Sequence, residues 1–402
     1  MGASPISRDD ILAAREAGAA YVKHTPVTES AALTALCGGN VVVKAESLQR
    51  TGSFKIRGAM NKVASLGEAA HTGVVAGSAG NHAQAIAFAA QVNGISCEIF
   101  VPAGASLSKI AACRAYGATI SEGGESLDNA VALARDRAAA TGMNFCHPYD
   151  DPAVVAGQAT LGLELIEDIA DLRTVVIPLG GGGLAGGTAI ALKMYDPKIR
   201  IVGVQVSACA PYANTPAPEG PVVTLADGIA VKKPGAVTRP IIEHFLDDIV
   251  VVEEDDVADA MILLMERGKL LVEGAGAVGA SALMRGLVKP ATGGTTCVVL
   301  SGGNVDLGLV PGLVRRHETQ AGRRLLLFAR IPDRPGGLAQ LLTLLAAAGA
   351  NLIEVEHVRE GVDLHVRETG VQIVLETRGA DHADSVIDAA RRAGYEVEEL
   401  RR

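Results

Sequence analysis

The sequence contains no tryptophan, and only 3% of its residues are aromatic. Acidic residues outnumber basic ones by 45 to 36, which gives a net charge of -9 at pH 7. Proteins that bind nucleic acid need a basic surface for the phosphates, and many also use aromatic side chains to stack on bases. The composition therefore argues against nucleic acid as a partner.

The cysteines also lack the paired spacing of a metal site or of a disulfide framework. They are Cys37, Cys97, Cys113, Cys146, Cys209 and Cys297, and no two of them form a C-x-x-C pair. This spacing argues against zinc and disulfides and favours a reducing, cytoplasmic compartment. The N-terminal region has no long apolar stretch, so we expect neither a signal peptide nor a membrane-spanning helix.

What the sequence does contain is a repeated pattern of apolar runs, turns of small residues and helix-like stretches. With 402 residues, the chain is long enough for two or three domains. Apolar runs at 74–76, 175–179 and 297–300 are each followed by a polar or glycine-rich turn. This pattern predicts α/β units around a parallel sheet. Since ligands bind at the carboxyl ends of such strands, we expect the three turns to converge on one pocket.

Lys55 lies between two apolar residues, Phe54 and Ile56, at a predicted helix start. Most lysines are surface charges. Apolar neighbours, however, can desolvate an ammonium group and lower its pKa, which frees the amine to form a Schiff base with an aldehyde cofactor. Lys55 is therefore the first candidate for a catalytic residue.

Four consecutive glycines, Gly180–Gly183, precede Leu184 where a strand should meet a helix. Without Cβ atoms, backbone amides can surround an anion such as a phosphate at the positive end of the helix. The run also satisfies the dinucleotide pattern G-x-G-x-x-G, but the next predicted strand, 201–206, ends without the acidic residue that binds a ribose. A simple packing turn would explain one or two glycines better than four.

The other two turns are less specific when each is taken alone. Ser78–His82 offers short polar side chains and amides that suit a carboxylate, although an ordinary helix cap explains them too. Ser301 could donate to a ring nitrogen, and a glycine-rich turn is an equally good interpretation there. Together with Lys55, Asn81 and the glycine run, however, Ser301 completes the set of groups that holds pyridoxal 5'-phosphate (PLP).

On these motifs, residues 5–315 resemble the threonine dehydratases (threonine ammonia-lyases), which are fold-type II PLP enzymes. The resemblance implies an α/β catalytic domain at 1–314 with two parallel-sheet lobes, the smaller one inserted at about 48–145. Lys55 would be the catalytic lysine, Asn81 would contact the cofactor hydroxyl, and Ser301 the pyridine nitrogen. The implied cofactor-binding residues are Phe54, Lys55, Asn81, Gly180, Gly181, Gly182, Gly183, Leu184, Gly228 and Ser301. The implied substrate-binding residues are Ser78, Ala79, Gly80, Asn81 and His82.

The reaction implied is deamination of L-threonine to 2-oxobutanoate and ammonia by β-elimination of water, with L-serine as a secondary substrate. A neutral serine at the ring nitrogen favours elimination over a long-lived carbanion. A serine dehydratase or racemase is the alternative enzyme, but the related racemases carry a second serine where this chain has Ala79. They also have carboxylates in the stretch that corresponds to 205–210, which has none here, so we expect no divalent metal.

The last part of the chain has its own pattern. A polar stretch at 315–322 is typical of a linker, and residues 323–402 predict the order βαββαβ, which is ferredoxin-like. This part resembles an ACT domain, which implies a branched-chain amino-acid effector, isoleucine or valine, and a homo-oligomer, by resemblance a tetramer. The implied effector-binding residues are Gly337, Leu338, Asn351 and Leu352. A purely structural oligomerisation domain, or a sensor without catalysis, are the alternatives.

Overall fold

The computed structural model describes residues 5–213, 216, 218–360 and 362–400. The chain forms two compact units, divided between Asp306 and Leu307. None of the helices within the described ranges is both long and apolar enough to cross a membrane. Over the same residues, no group of three His, Cys, Asp or Glu side chains is arranged to hold a metal ion.

The first unit alternates strands with helices along most of its length. Its strands are β1 (Val27–Glu29), β2 (Val41–Ala45), β3 (Val74–Gly77), β4 (Cys97–Val101), β5 (Thr119–Glu122), β6 (Asn144–Phe145), β7 (Leu172–Pro178), β8 (Arg200–Val206), β9 (Asp248–Val252) and β10 (Thr295–Leu300). Its helices are α1 (Arg8–Gly18), α2 (Ala31–Cys37), α3 (Lys55–Ser65), α4 (Asn81–Val92), α5 (Leu107–Ala115), α6 (Leu127–Thr141), α7 (Pro152–Asp168), α8 (Gly183–Tyr195), α9 (Thr238–Phe245), α10 (Glu254–Glu266) and α11 (Gly274–Met284).

These strands form two sheets. The larger sheet has the order β1-β2-β10-β7-β8-β9, and all its neighbours are parallel except β1 and β2. The smaller sheet, β5-β4-β3-β6, is parallel throughout. All strands of the smaller sheet fall between β2 and β7 in sequence, so the smaller lobe is an insertion in the larger one. The predicted α/β fold with two parallel-sheet lobes is confirmed.

Buried apolar side chains explain why the predicted strands form. Every residue of β2, β3 and β10 is buried, as expected for parallel strands covered by helices on both faces. β10 begins at Thr295, two residues before the predicted strand. Thr295 and Thr296 are buried because their hydroxyl groups accept hydrogen bonds from Asn40 Nδ2 and the Ala291 amide, at 2.7 and 2.8 Å. A criterion based on apolar residues misses such threonines.

A buried group of charges fixes α3, the helix that begins at Lys55. The guanidinium of Arg57 donates to both carboxylate oxygens of Glu46, each at 2.8 Å, and to both of Glu164, at 2.6 and 2.9 Å. Lys44 Nζ, from β2, contacts Glu164 at 2.7 Å. Since Glu164 lies on α7, these pairs join β2, α3 and α7. We call Glu46, Arg57, Glu164 and Lys44 the charge cluster.

Removing Arg57 should destabilise the first unit strongly, because Glu46 and Glu164 would stay buried without their main partner. We expect Arg57→Met to lower the free energy of unfolding by about 3–5 kcal/mol. Urea unfolding followed by circular dichroism measures the effect. The matched control is Arg239→Met, whose pair with Glu243 is exposed to solvent, so its urea midpoint should not change. Equal midpoints for the two variants would contradict the role assigned to the charge cluster.

The second unit follows the predicted order βαββαβ after an additional helix. Its elements are α12 (Val310–Gln320), β11 (Arg324–Pro332), α13 (Gly337–Ala347), β12 (Asn351–Val358), β13 (Glu368–Glu376), α14 (Ala380–Arg392) and β14 (Glu396–Glu399). The antiparallel sheet has the order β12-β13-β11-β14, so the ferredoxin-like fold is confirmed. The prediction of a linker is wrong, since residues 315–320 form the second half of α12, a helix whose first half carries the buried Leu313.

Candidate active site

Lys55 is partly buried and lies at the first position of α3. Its Nζ donates to the carbonyl of Pro148 at 2.8 Å and lies 5.1 Å from the centre of the Phe54 ring. Ile56 is fully buried in the core of the smaller lobe. Burial lowers the pKa of Lys55 to about 8, although the nearby Glu273 favours the charged form. Phe54 and Ile56 therefore surround Lys55 with apolar groups, and its desolvation stays a prediction that the pKa direction supports.

Ser301 lies at the end of β10 and is linked directly to the Lys55 segment. The amide of Phe54 donates to the Ser301 carbonyl at 3.0 Å, and Ser53 and Gly302 form an isolated β-bridge. Ser301 itself is buried. The backbone therefore holds the proposed partner of the ring nitrogen next to the proposed catalytic lysine.

The glycine run lies between β7 and α8, as predicted. Gly182 has a φ of +92°, a left-handed conformation that favours glycine, and no side chain caps the helix that follows it. The first-turn amides of α8 are therefore not capped by a side chain and can receive an anion. Thr238 Oγ1 donates to the Gly181 carbonyl at 2.7 Å and so fixes the loop from the side of α9.

The segment 148–150 joins Lys55 to the glycine run, and sequence reasoning missed it. Pro148 accepts the hydrogen bond from Lys55, and the Tyr149 ring lies so close to Gly181 that an added Cβ atom would collide with it. Asp150 accepts from the amides of 236–238 at 2.7–3.1 Å, just before and at the start of α9. The sequence could have indicated this segment only by its position, because residues 148–150 follow the carboxyl end of the parallel strand β6, where ligands bind.

The turn at Ser78–His82 lies after β3, beside the Lys55 segment. Ser78 Oγ accepts from the Gly80 amide at 3.2 Å, so the hydroxyl partly serves the turn itself. His82 is buried with Nε2 2.9 Å from the Cys146 carbonyl, and burial, with a contribution from Lys55, lowers its pKa to about 3. The ring of His82 is therefore neutral, and its Nε2 is bound to the Cys146 carbonyl. If His82 contacts the substrate carboxylate, its backbone amide would make that contact.

Asn81 begins α4, and its side chain is held from two sides. Its Nδ2 donates to Glu273 Oε1 at 2.7 Å, and its Oδ1 accepts from Asn304 Nδ2 at 2.7 Å. Glu273 is a site residue that sequence reasoning missed. Burial, and then the nearby Asp227, raise the pKa of Glu273 to about 7. Its only sequence signal is an acid directly before the small-residue run that begins α11.

The residues present fit PLP. A lysine with a lowered pKa matches the aldehyde, and the side-chain-free turn at the start of α8 matches the phosphate. Gly180 and Gly228 are close to each other. A Cβ atom at Gly180 would lie 2.8 Å from the Cα atom of Ile229, the residue that follows Gly228. The structure thus brings the predicted cofactor residues together through segments 53–55, 148–150 and 226–229.

The predicted effector residues are not brought together within one chain. Gly337 and Leu338 begin α13, after the end of β11, whereas Asn351 and Leu352 begin β12. Pairing places these two groups at opposite ends of β13. That strand has 9 residues and, at about 3.4 Å per residue, spans roughly 27 Å. One small amino acid cannot contact both groups in a single copy.

Comparison with known proteins identifies the class of this site. The family model described as "Pyridoxal-phosphate dependent enzyme" matches residues 19–302. The chain therefore belongs to the family of PLP-dependent enzymes, and the cofactor prediction is confirmed.

Within this class, two relatives match the chain over nearly its whole length. L-threonine ammonia-lyase of Geobacter sulfurreducens is 43% identical over 387 residues, which are 94% of this chain and 96% of the relative. L-threonine ammonia-lyase of Thermotoga maritima is 40% identical over 399 residues, 98% of this chain and 99% of the relative. The structure of maize serine racemase superimposes with a TM-score of 0.72 and 33% identity, covering 78% of this chain and 98% of that one.

The Gly181→Ala variant should bind PLP much more weakly, because the added methyl group must displace Tyr149 from the glycine run. Overpacking of this kind costs about 1–3 kcal/mol, or roughly 5- to 150-fold in affinity if the cost falls on the bound form. Absorbance titration of the cofactor-free protein with PLP measures the affinity. Gly312→Ala is the matched control, since nothing lies within 4 Å of its Cβ position. Equal affinities in both variants would contradict a role of Gly181 in PLP binding.

The lowered pKa of Lys55 predicts how fast the cofactor-free protein captures PLP. Only the neutral amine attacks an aldehyde. The rate should therefore rise with pH and level off above about 8, well below the ordinary lysine value of 10.5. Stopped-flow absorbance measures the rate. A rate that keeps rising towards the ordinary value would show that Lys55 is not desolvated.

Proposed function

We propose that the protein deaminates L-threonine to 2-oxobutanoate and ammonia by β-elimination of water, with L-serine as a secondary substrate. The observation that carries this proposal is the 43% and 40% identity to two L-threonine ammonia-lyases over 94% and 98% of the chain. The geometry around Lys55 supports it. Free thiols at all six cysteines, five of them buried, agree with a cytoplasmic enzyme.

Each part of the site has its own role in the proposed reaction. PLP, when bound, supplies an electron sink for negative charge at the Cα atom of an amino acid. Lys55 has a pKa lowered to about 8, so its amine can take the Cα proton near neutral pH. The Pro148 carbonyl, 2.8 Å from Nζ, orients that amine. First-turn amides of α8 bind the phosphate, and the amides of 78–82 bind the substrate carboxylate.

Ser301 favours elimination over other outcomes. A neutral hydroxyl does not keep a ring nitrogen protonated as a carboxylate would, so the electron sink is weaker. With PLP bound, Ser301 would therefore favour loss of the β-hydroxyl as water over transamination. The burial of Ser301 at the end of β10 supports this role, because water is excluded from the same place.

Serine racemisation is the second candidate, and the similarity to maize serine racemase favours it. Racemisation needs a proton donor on the face opposite to Lys55. Ala79, which stands at the position where related racemases carry a serine, has no hydroxyl to donate. We therefore rank threonine deamination first. A sensor without catalysis ranks last, because it would not need the desolvated Lys55.

For the second unit we propose regulation by a branched-chain amino acid, isoleucine or valine, in an ACT-like domain. A site made from both predicted groups requires two copies, because β13 separates Gly337 from Asn351 within one chain. β12 is an edge strand with exposed Leu352 and Ile353, which suits edge pairing between two antiparallel copies. We accordingly propose a homo-oligomer, a tetramer, with effector sites between copies. A purely structural pairing domain is the alternative.

The decisive assay is formation of 2-oxobutanoate from L-threonine, with and without L-isoleucine. Lys55→Ala should lose a factor of at least about 10²–10⁴, since general-base catalysis alone contributes that much. Lys289→Ala, at an exposed lysine, is the matched control and should keep full activity. A lower rate with isoleucine would support the effector site. D-serine from L-serine without any 2-oxo acid from threonine would overturn the proposed function in favour of racemisation.

A further inference from the structure

The carboxylate of Glu273 lies beside two of the predicted cofactor contacts, Asn81 and Gly228, and beside Gly302, which follows Ser301. Its Oε1 accepts from Asn81, and a Cβ atom at Gly228 would lie 3.7 Å from the same oxygen. A Cβ atom at Gly302, next to Ser301, would collide with that oxygen. Since these neighbours come from α4, from the segment before α9 and from the end of β10, the carboxylate is placed beside the PLP site rather than in a distant core.

The position of Glu273 is fixed by its backbone. Its amide donates to the Gly302 carbonyl at 3.0 Å, and its own carbonyl accepts from the amides of Gly276 and Ala277 at 2.8 and 3.0 Å in the first turn of α11. Only 6% of the residue is exposed. The backbone of Glu273 is therefore fixed at the start of α11, and the hydrogen bond from Asn81 Nδ2 holds its carboxylate.

Asn81 connects this carboxylate to the cofactor position. Asn304 Nδ2 donates to Asn81 Oδ1 and also to the Thr51 carbonyl, at 2.7 and 2.8 Å, which fixes the direction of the Asn81 amide. One N–H of Asn81 Nδ2 is used by Glu273. Because that nitrogen carries two hydrogens, the second remains to donate to a bound group. A change of charge on Glu273 is thus transmitted through one amide nitrogen.

The charges that face Glu273 come from three other elements. Lys55 on α3 and Lys109 on α5 favour its ionised form, whereas Asp227, just before Gly228, opposes it. Lys109 Nζ lies 3.0 Å from Asp227 Oδ2, so these two charges partly cancel. Burial and Asp227 prevail and raise the pKa of Glu273 to about 7. Both protonation states are therefore populated near neutral pH.

We propose that Glu273 is a positioning residue that gains and loses a proton beside the PLP site and, through the amide of Asn81, sets the ionisation of the cofactor edge bound there. This role rests on the PLP site of the proposed function and not on the choice of threonine as substrate. An ionised Glu273 favours positive charge at its neighbours, and a neutral one permits negative charge, so the ultraviolet–visible spectrum of bound PLP should report the change.

The test is a pH titration of the ultraviolet–visible absorbance of the PLP-loaded protein, without substrate. The wild type should show a pH-dependent spectral step, because burial and Asp227 raise the pKa of Glu273 towards neutrality. Glu273→Gln keeps an oxygen that accepts from Asn81 but cannot ionise, so the step should be lost while PLP stays bound. The same step in Glu273→Gln would overturn the role of Glu273. Glu266→Gln, at an exposed acid on α10, is the matched control and should titrate like the wild type.

A second variant keeps the test decisive if Glu273→Gln fails to fold or to bind PLP. Asp227→Asn removes the charge that opposes ionisation of Glu273, so the midpoint should move to lower pH. An unchanged midpoint in this variant would overturn the proposal. Failure of the wild type to form any visible PLP band would instead refute the PLP site of the proposed function. The titration of the variants tests only the role of Glu273, so the two failures are distinguishable.

Discussion

The active site depends on the partly buried position of the Lys55 amine. The amine is attached at the start of α3, but what surrounds it comes from other parts of the chain. Pro148 accepts its hydrogen bond, and the Phe54 amide is tied to Ser301 at the end of β10. Each of these contacts joins the smaller lobe to the larger one or to the segment between them. The surroundings of the Lys55 amine therefore depend on residues from both lobes.

The charge cluster explains why α3 can hold the lysine in one position. Arg57 lies two residues after Lys55 and is bound on both sides by carboxylates. A buried ion pair adds little net stability, but its geometry is strict, because any other arrangement leaves a charge without a partner. The cluster thus constrains the direction of α3 more than an apolar contact of the same size would. Because Lys55 is the first residue of α3, fixing the direction of this helix also fixes the position of the lysine backbone.

Local patterns were sufficient to predict the lysine, the glycine run, the main strands of the parallel sheets and the βαββαβ order. Each of these features depends on residues that are close in sequence, such as an apolar run, a turn or a regular spacing of apolar residues. Glu273 could not be predicted in this way, since its meaning comes from Asn81, which is 192 residues away in sequence. Asp150 and Tyr149 were missed for the same reason. The helix α12 was predicted as a linker because a polar stretch can also be the exposed face of a helix.

The place of β10 in the larger sheet has a consequence for how the chain folds. β10 lies between β2 and β7, although it is the last strand of the first unit to be synthesised. Until the ribosome has released residues 295–300, β2 and β7 have no strand between them, and the Ser301 end of the pocket does not exist. The smaller sheet, by contrast, uses only residues 74–145 and can assemble early. The growing chain therefore carries a nearly complete small lobe while the larger sheet still has an open gap, which is the stage at which its unpaired strand edges are most exposed to aggregation.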